Sequence, residues 1–198
     1  MNEAAAIQPS FEIRTVAVIG AGVAGRSFAL ACAGAGFPVV LEDVMPANLR
    51  HAEAEYADLT LRTRTRAGSL ELASTVEDAV READIVVDFV PDELESKLEI
   101  FSMIDRMAPP KTILCTPSYA LSITDLASCV YRPERCVAVR GNLIRSESDT
   151  APVVRLLYPA AATTATLTAV GNFLGALGLE VRREIDPDVP VLMKNAVV

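Results

Sequence analysis

Tryptophan is absent, and histidine occurs once, as His51. One imidazole cannot assemble a histidine-based metal set, and chemistry that needs a histidine base has a single candidate. Cysteine is sparse: Cys32, Cys115, Cys129 and Cys136 include no C-x-x-C pair. That argues against a zinc or dithiol redox motif and for reduced, buried thiols in a cytoplasmic protein. Aromatic residues make up only 5% of the chain, so a core must be built from Ala, Val, Leu and Ile. Basic residues are outnumbered 18 to 26, for a formal net charge of −8 and a pI of about 4.7. This balance argues against a general nucleic-acid or membrane-surface binder, while leaving small anionic ligands open. No apolar run approaches the roughly 18–20 residues that span a bilayer. Met1–Ser10 has an acid and no basic cluster ahead of an apolar stretch, so it reads as a loose leader rather than a signal peptide.

What is present is apolar surface: 51% hydrophobic residues and a mean hydropathy of +0.32 over 198 residues. That suffices for one domain, or one domain and a fragment of another. Short apolar runs alternate with helical patterns. Strands are expected at Arg14–Gly20, Pro38–Glu42, Leu70–Ala73, Ala83–Asp88, Thr112–Cys115 and Val137–Val139. Helices are expected at Ala21–Gly36, from Pro46 to about Arg66, from a capping box at Ser74–Glu77 to about Glu82, and from Pro91 or Asp92 to about Met107. The apolar run Ile85–Val87 marks a strand buried on both faces of a parallel sheet. Leu94, Leu98, Phe101 and Ile104 fall at helical spacing, so their helix covers the sheet. Alternation of this kind gives an α/β fold: a doubly wound, mostly parallel Rossmann-type sheet with helices on both faces. Beyond Arg140 the rhythm changes: a polar loop, a further strand at Val153–Leu157, a helix at Thr163–Leu177 and a last strand at Leu179–Glu184. The expected division is a leader (1–12), a nucleotide-binding domain (13–186), and a linker with the start of a helix (187–198). The apolar segment Val191–Val198 needs cover, which points to a homodimer or a partner contact there.

The most informative stretch is Thr15-Val-Ala-Val-Ile-Gly-Ala-Gly-Val-Ala-Gly25. It is G-x-G-x-x-G at a strand-to-helix turn. Gly20 permits the tight turn, Gly22 lets a pyrophosphate approach the backbone, and Gly25 lets helix and strand pack closely. With Val23 and Ala24 these residues open a helix whose free N–H groups suit phosphate. Asp43 lies eighteen residues past Gly25, at the end of the next strand. A carboxylate there accepts hydrogen bonds from the adenosine ribose and repels a 2′-phosphate, which favours NAD over NADP. The run Arg62-x-Arg64-x-Arg66 has two readings, a phosphate contact or a solvated helix end whose cations suit the dipole.

From Arg14 onward the chain resembles the N-terminal domain of the 3-hydroxyacyl-CoA dehydrogenases. The residues that carry the resemblance are Val16–Gly25, Asp43, Ala83-Asp-Ile-Val-Val-Asp88, Leu94 and Lys97, and above all Leu121-Ser-Ile-Thr-Asp-Leu-Ala127 followed by Arg132-Pro-Glu-Arg135. The resemblance implies an NAD-dependent oxidoreductase of fatty-acid metabolism. It places Asp92 and Lys97 near the nicotinamide ribose and Phe89-Val90 along the cofactor channel. That family uses a His base, a Glu that orients it, and a Ser and an Asn that bind the reacting oxygen. Alignment sets Tyr119 at the Ser, Arg140 at the His and Arg155 at the Glu; Lys194 falls at the Asn, with Asn195 one residue away. Arginine does not act as a general base, because its pKa stays above about 12. The segment between Asp43 and Asp84 is shorter than the family's, and the family's all-helical C-terminal domain is missing. Two consequences stay open. One is altered chemistry on a small anionic hydroxy or oxo acid, with Arg140, Arg155 and Lys194 forming a cationic pocket and Tyr119 donating a proton. The other is a non-catalytic nucleotide-binding or subunit-like module whose arginines are solvated. Ser118 and Ser122 are expected to cap Leu121–Ala127.

Overall fold

The computed structural model describes residues 11–62, 67–144 and 151–186. Among these, eight strands form one sheet in the order β3-β2-β1-β4-β5-β6-β7-β8. The strands are β1 (Val16–Ile19), β2 (Val39–Glu42), β3 (Leu70–Ala73), β4 (Ile85–Asp88), β5 (Ile113–Pro117), β6 (Cys136–Arg140), β7 (Val153–Tyr158) and β8 (Glu180–Ile185). The helices are α1 (Val23–Gly34), α2 (Pro46–Arg62), α3 (Val76–Val80), α4 (Leu94–Met107), α5 (Ile123–Ala127) and α6 (Thr164–Ala176). β1 to β6 run parallel, β7 turns antiparallel to β6, and β8 is again parallel to β7. The order reverses between β1 and β4, whose carboxyl ends open a crevice beside the glycine turn.

Side chains alternate across the pleat and so build two cores. Val16, Val18, Val137 and Val139 pack with Phe28, Cys32 and Phe173 against α1, α2 and α6. Ala17, Ile19, Cys136 and Ala138 pack with Val80, Phe101, Ile104 and Leu126 against α3, α4 and α5. The scarcity of aromatics shows: among the described residues only Phe28, Phe89, Phe173 and Phe37 form ring–ring contacts, with centroids 5.2–6.4 Å apart. The free thiols of Cys32, Cys115 and Cys136 are buried, and burial pushes each of them up, out of the reactive range. No helix among the described residues is long and apolar enough to cross a membrane.

Several boundaries differ from the sequence pattern for local reasons. The cap of α3 is Thr75 rather than Ser74: its hydroxyl accepts the Asp78 amide at 3.2 Å. Helix α4 begins at Leu94, after Pro91 and Asp92, because the Asp92 carboxylate is drawn away to the Tyr119 amide. Phe11, assigned to the leader, packs against the first core and lies 5.6 Å beneath the Arg135 guanidinium. Asp186, assigned to the domain's last position before a linker, is 5% exposed and anchored. Its Oδ2 accepts the Ser122 hydroxyl at 2.5 Å and the Thr124 amide at 3.0 Å, at the start of α5. Residues 187–198, with Lys194 and Asn195, lie outside the described residues, as do Arg64 and Arg66. Arg62 is exposed and 3.9 Å from Asp58, which fits a solvated helix end.

Candidate functional site

The glycine turn joins β1 to α1. Gly20 has φ +92°, a conformation that side chains disfavour. A Cβ on Gly25 would land inside the radius of the Gly20 carbonyl oxygen, so only glycine lets α1 approach the turn. A Cβ on Gly22 would meet nothing within 4 Å. Space is therefore open in front of Gly22, while Val23 and Ala24 are exposed and no side chain caps the first turn of α1. These uncapped amides and this open face fit a pyrophosphate.

Asp43 stands directly beyond β2, against this turn. Its Oδ2 accepts the Ala21 amide at 2.8 Å and the Asn48 side-chain amide at 2.9 Å, and its Oδ1 accepts the Met45 amide at 2.7 Å. Burial works against the charge, but these three bonds outweigh it and hold the carboxyl below its usual range. An ionised carboxylate offers about four acceptor positions, so one remains on Oδ1 for a ribose hydroxyl. Asn48 was not singled out by the sequence; nothing in a local pattern marks a side chain five positions along as a clamp. Arg26 adds a second brace, bonding Ala21 O at 3.3 Å and Glu55 at 2.9 Å on α2.

At the end of β4, the Phe89 amide donates to Ile19 O at 2.7 Å, and its ring lies 5.3 Å from that of Phe28. Val90 packs into the second core. Lys97 is not presented to the crevice: it is 1% exposed, and its Nζ lies 2.6 Å from Asp88 Oδ1. Burial pushes the Asp88 carboxyl up and the Lys97 charge opposes that. The pair ties α4 to the end of β4. Asp92 does reach the rim. Its Oδ2 accepts the Tyr119 amide at 3.0 Å; burial opposes its charge, while hydrogen bonds from the Ser118 and Tyr119 side lower its pKa.

Tyr119 lies on the loop after β5. It is 71% exposed, yet its hydroxyl donates to Gly141 O at 3.1 Å, bridging the ends of β5 and β6. Tyr119, Ala24, Phe28, Phe89, Pro117, Gly141, Asn142, Leu143 and Ile144 line a cavity of about 250 Å³ at the carboxyl ends of β1, β4, β5 and β6. This cavity adjoins the glycine turn through Ala24.

Arg140 and Arg155 are register partners across β6 and β7, so the two positions aligned with a base and its orienting acid do lie side by side. They do not form a cationic pocket, however. Arg140 shares the face of Ala138, on the α5 side, and its guanidinium donates to Ser118 O and Leu121 O, both at 3.0 Å. Arg155 is gripped by Glu184 through two bonds of 2.6 and 2.7 Å. Among the described residues, the cavity lining contains no arginine. The sequence could not disclose this, because Glu184 comes from β8 and the carbonyls from a loop. His51, on α2, is exposed. Ser122 does cap α5, its hydroxyl accepting the Asp125 amide at 3.3 Å, whereas the Ser118 hydroxyl accepts the Leu121 amide at 3.0 Å in the loop ahead of the helix and caps nothing. No group of three or more potential metal ligands occurs among the described residues.

A parallel sheet reversing at β1/β4, an uncapped glycine turn and an acid at the end of β2 define a dinucleotide-binding module. The comparisons specify which: residues 15–140 match the family model for 3-hydroxyacyl-CoA dehydrogenase, NAD binding domain, and the chain belongs to that family. NAD is the cofactor of this domain. A probable 3-hydroxybutyryl-CoA dehydrogenase of Bacillus subtilis is 30% identical over 94% of this chain and 67% of its own length. A 3-hydroxybutyryl-CoA dehydrogenase of Bradyrhizobium diazoefficiens is 29% identical over 94% of this chain and 65% of its own. The solved 3-hydroxyacyl-CoA dehydrogenase of Archaeoglobus fulgidus superposes with a TM-score of 0.71 at 28% identity, covering 93% of this chain and 61% of that one. The chain thus spans about two thirds of the length of these relatives.

Proposed function

We propose that this chain binds NAD through Gly20, Gly22, Val23, Ala24, Gly25 and Asp43, with Phe89, Val90 and Asp92 lining the crevice, and does not run the hydroxyacyl-CoA reaction of its relatives. The observation that carries the reading is the pair Arg140 and Arg155. These residues occupy adjacent register positions at the end of the sheet, one engaged by backbone carbonyls and the other by Glu184. Neither accepts a proton at any working pH. The nucleotide half of the site is retained and the reacting half is altered. A cytoplasmic setting belongs to the same proposal and rests on the buried free thiols.

A second reading keeps turnover, on a small anionic hydroxy or oxo acid. It is favoured by one observation, that Tyr119 lines the cavity together with Ala24, its hydroxyl held at Gly141 O. NAD would supply the hydride chemistry when bound, and Tyr119 would hold a proton at its hydroxyl. Among the described residues no cation lines this cavity, which counts against it.

Two assays test the proposal. Titrating NAD and NADH against tyrosine fluorescence is expected to saturate. An assay at 340 nm with acetoacetyl-CoA is expected to give no turnover, and a panel of small oxo acids separates the second reading from the first. Absence of any fluorescence change at millimolar NAD would overturn the binding claim. Robust oxidation of NADH by acetoacetyl-CoA would overturn the assignment of Arg140.

A further inference from the structure

Ala21 stands between the first two glycines of the turn, and both of its backbone groups are reached from α2. Its amide donates to Asp43 Oδ2 at 2.8 Å, and Asn48 Nδ2 donates to the same oxygen at 2.9 Å. Its carbonyl accepts Arg26 Nη1 at 3.3 Å, and Arg26 Nε donates to Glu55 at 2.9 Å. Asn48, Ala52 and Glu55 follow one another at intervals of four and three residues, which puts them on one face of the helix. Ala52 is fully buried, and its small side chain lets that face approach α1.

The two arms differ in what they hold. The arm through Arg26 and Glu55 ends on the turn, which serves the pyrophosphate of any dinucleotide. The Asn48 arm ends on the carboxylate. Asp43 is 8% exposed, and each of its oxygens accepts at about two positions. Both positions on Oδ2 are filled, by Ala21 and Asn48, whereas Oδ1 has one filled, by the Met45 amide at 2.7 Å. The carboxylate therefore cannot rotate without breaking a bond, and its open acceptor position lies on Oδ1. Two of the three donors are main-chain amides, present whatever the side chains. The third depends on Asn48.

We propose that Asn48 is a positioning residue for cofactor choice: by filling the second position on Oδ2 it keeps Oδ1 for the adenosine 2′-hydroxyl, and so sets the preference for NAD over NADP. This rests on the NAD-binding reading above and adds to it the side chain that makes Asp43 selective. Without Asn48, Oδ2 keeps the Ala21 amide alone and the carboxylate swings about that bond. The position vacated faces α2. Burial opposes the Asp43 charge and the three hydrogen bonds overcome it, so the donor that aims the carboxylate also keeps it ionised. An ionised group at this place repels a 2′-phosphate.

Calorimetric titration of the 198-residue chain with NAD, NADP and NAD lacking the adenosine 2′-hydroxyl tests this. Wild type is expected to bind NAD about tenfold more tightly than the deoxy analogue, the worth of one hydrogen bond to a charged group. N48A is expected to lose about fivefold in NAD affinity and to bind the deoxy analogue within about twofold of wild type, since the hydroxyl that Asn48 serves is missing there. The ratio of NAD to NADP affinity falls by the same factor as NAD binding itself. N48D keeps the size of the side chain and suits the first turn of α2, but replaces the donor by an acceptor. It is expected to weaken NAD binding at least as much as N48A. E55A releases the other arm and is expected to change the affinities for NAD and its deoxy analogue by one common factor. Circular dichroism confirms folding of each variant. A wild-type chain that binds no NAD overturns the NAD-binding reading and this inference with it. A wild-type chain that binds NAD, with N48A and N48D binding it equally well, overturns this inference alone. So does a loss in N48A that is the same for NAD and the deoxy analogue, which is what a merely structural role produces.

Discussion

Substituting alanine at Gly22 and at Gly25 separates two requirements that the glycine motif merges. At Gly22 the backbone has φ −59° and ψ 178°, which alanine adopts freely, and the added methyl meets nothing within 4 Å. Losing a glycine favours folding by about 0.4–1 kcal/mol through the unfolded chain. A poorer N-cap costs a similar few tenths to one. G22A is therefore expected to melt within about 3 °C of wild type, since 1 kcal/mol is worth roughly 2–4 °C at this size. At Gly25 the methyl collides with the Gly20 carbonyl and approaches the Phe89 side chain at 3.1 Å, and neither a backbone carbonyl nor a Cβ can swing aside. Forced shifts of this kind cost about 1–3 kcal/mol, a loss of roughly 2–12 °C. Differential scanning fluorimetry with and without NAD reads both effects. Saturation at a hundredfold over Kd adds about 2.7 kcal/mol, or roughly 5–10 °C, to the wild type. G22A is expected to keep its baseline and lose most of that increment, because the methyl occupies the space the pyrophosphate needs. If G22A retains the full NAD-dependent shift, the turn does not hold the dinucleotide. If G25A melts with the wild type, the close-packing argument fails.

Three further predictions concern stability. Asp84 is opposed by burial, but Lys111 at 2.5 Å and the amides of Arg14 and Thr15 depress its pKa. Its contribution is full above the unfolded value near pH 4 and lost as pH falls through the lower folded value, so D84N is expected to flatten the acid limb of a Tm–pH curve. Glu42, 3% exposed, is pushed up by burial and then by Asp43, so its sign is reversed. That contribution is present below about pH 4 and lost as pH rises through the folded value, and E42Q is expected to raise Tm at pH 7 and leave it unchanged near pH 3.5. Asp186 and Ser122 satisfy the same end of α5. S122A and D186A are expected to cost about 1–3 kcal/mol each by denaturant unfolding, and the double variant less than their sum by roughly 1 kcal/mol.

The sheet was legible because each of its strands advertises itself locally. Ile85–Val87 and Val16–Ile19 are buried on both faces, and an uninterrupted apolar run is what that demands. The end of each element was less legible, since ends are decided by partners. Thr75 rather than Ser74 caps α3 because the Asp78 amide comes to it, and α4 starts late because Asp92 has another use. Asp186 is the extreme case. Beside Pro187 it reads only as the domain's last position, but its partners at Ser122 and Thr124 are 64 and 62 residues away.

The site divides along the same line. Gly20, Gly22 and Gly25 could be read from the chain because their roles depend on backbone geometry within six residues, and the structure supplies the φ, the open face and the close approach that those roles require. The alignment of Arg140 and Arg155 also depends on short stretches of chain, and their cross-strand pairing is consistent with it. What two arginines do once there is a different kind of question. Counted as charges they suggest a pocket for an anion. Yet a strand sends alternate side chains to opposite faces, and the step from Val139 to Arg140 carries the guanidinium to the α5 side, away from the Tyr119 cavity. Charge at a sequence position is thus a poor guide to charge in a site. The pleat decides the face and neighbouring strands decide the counter-ion, so the surroundings of Arg140 and Arg155 are defined by Glu184 and two loop carbonyls as much as by the arginines themselves.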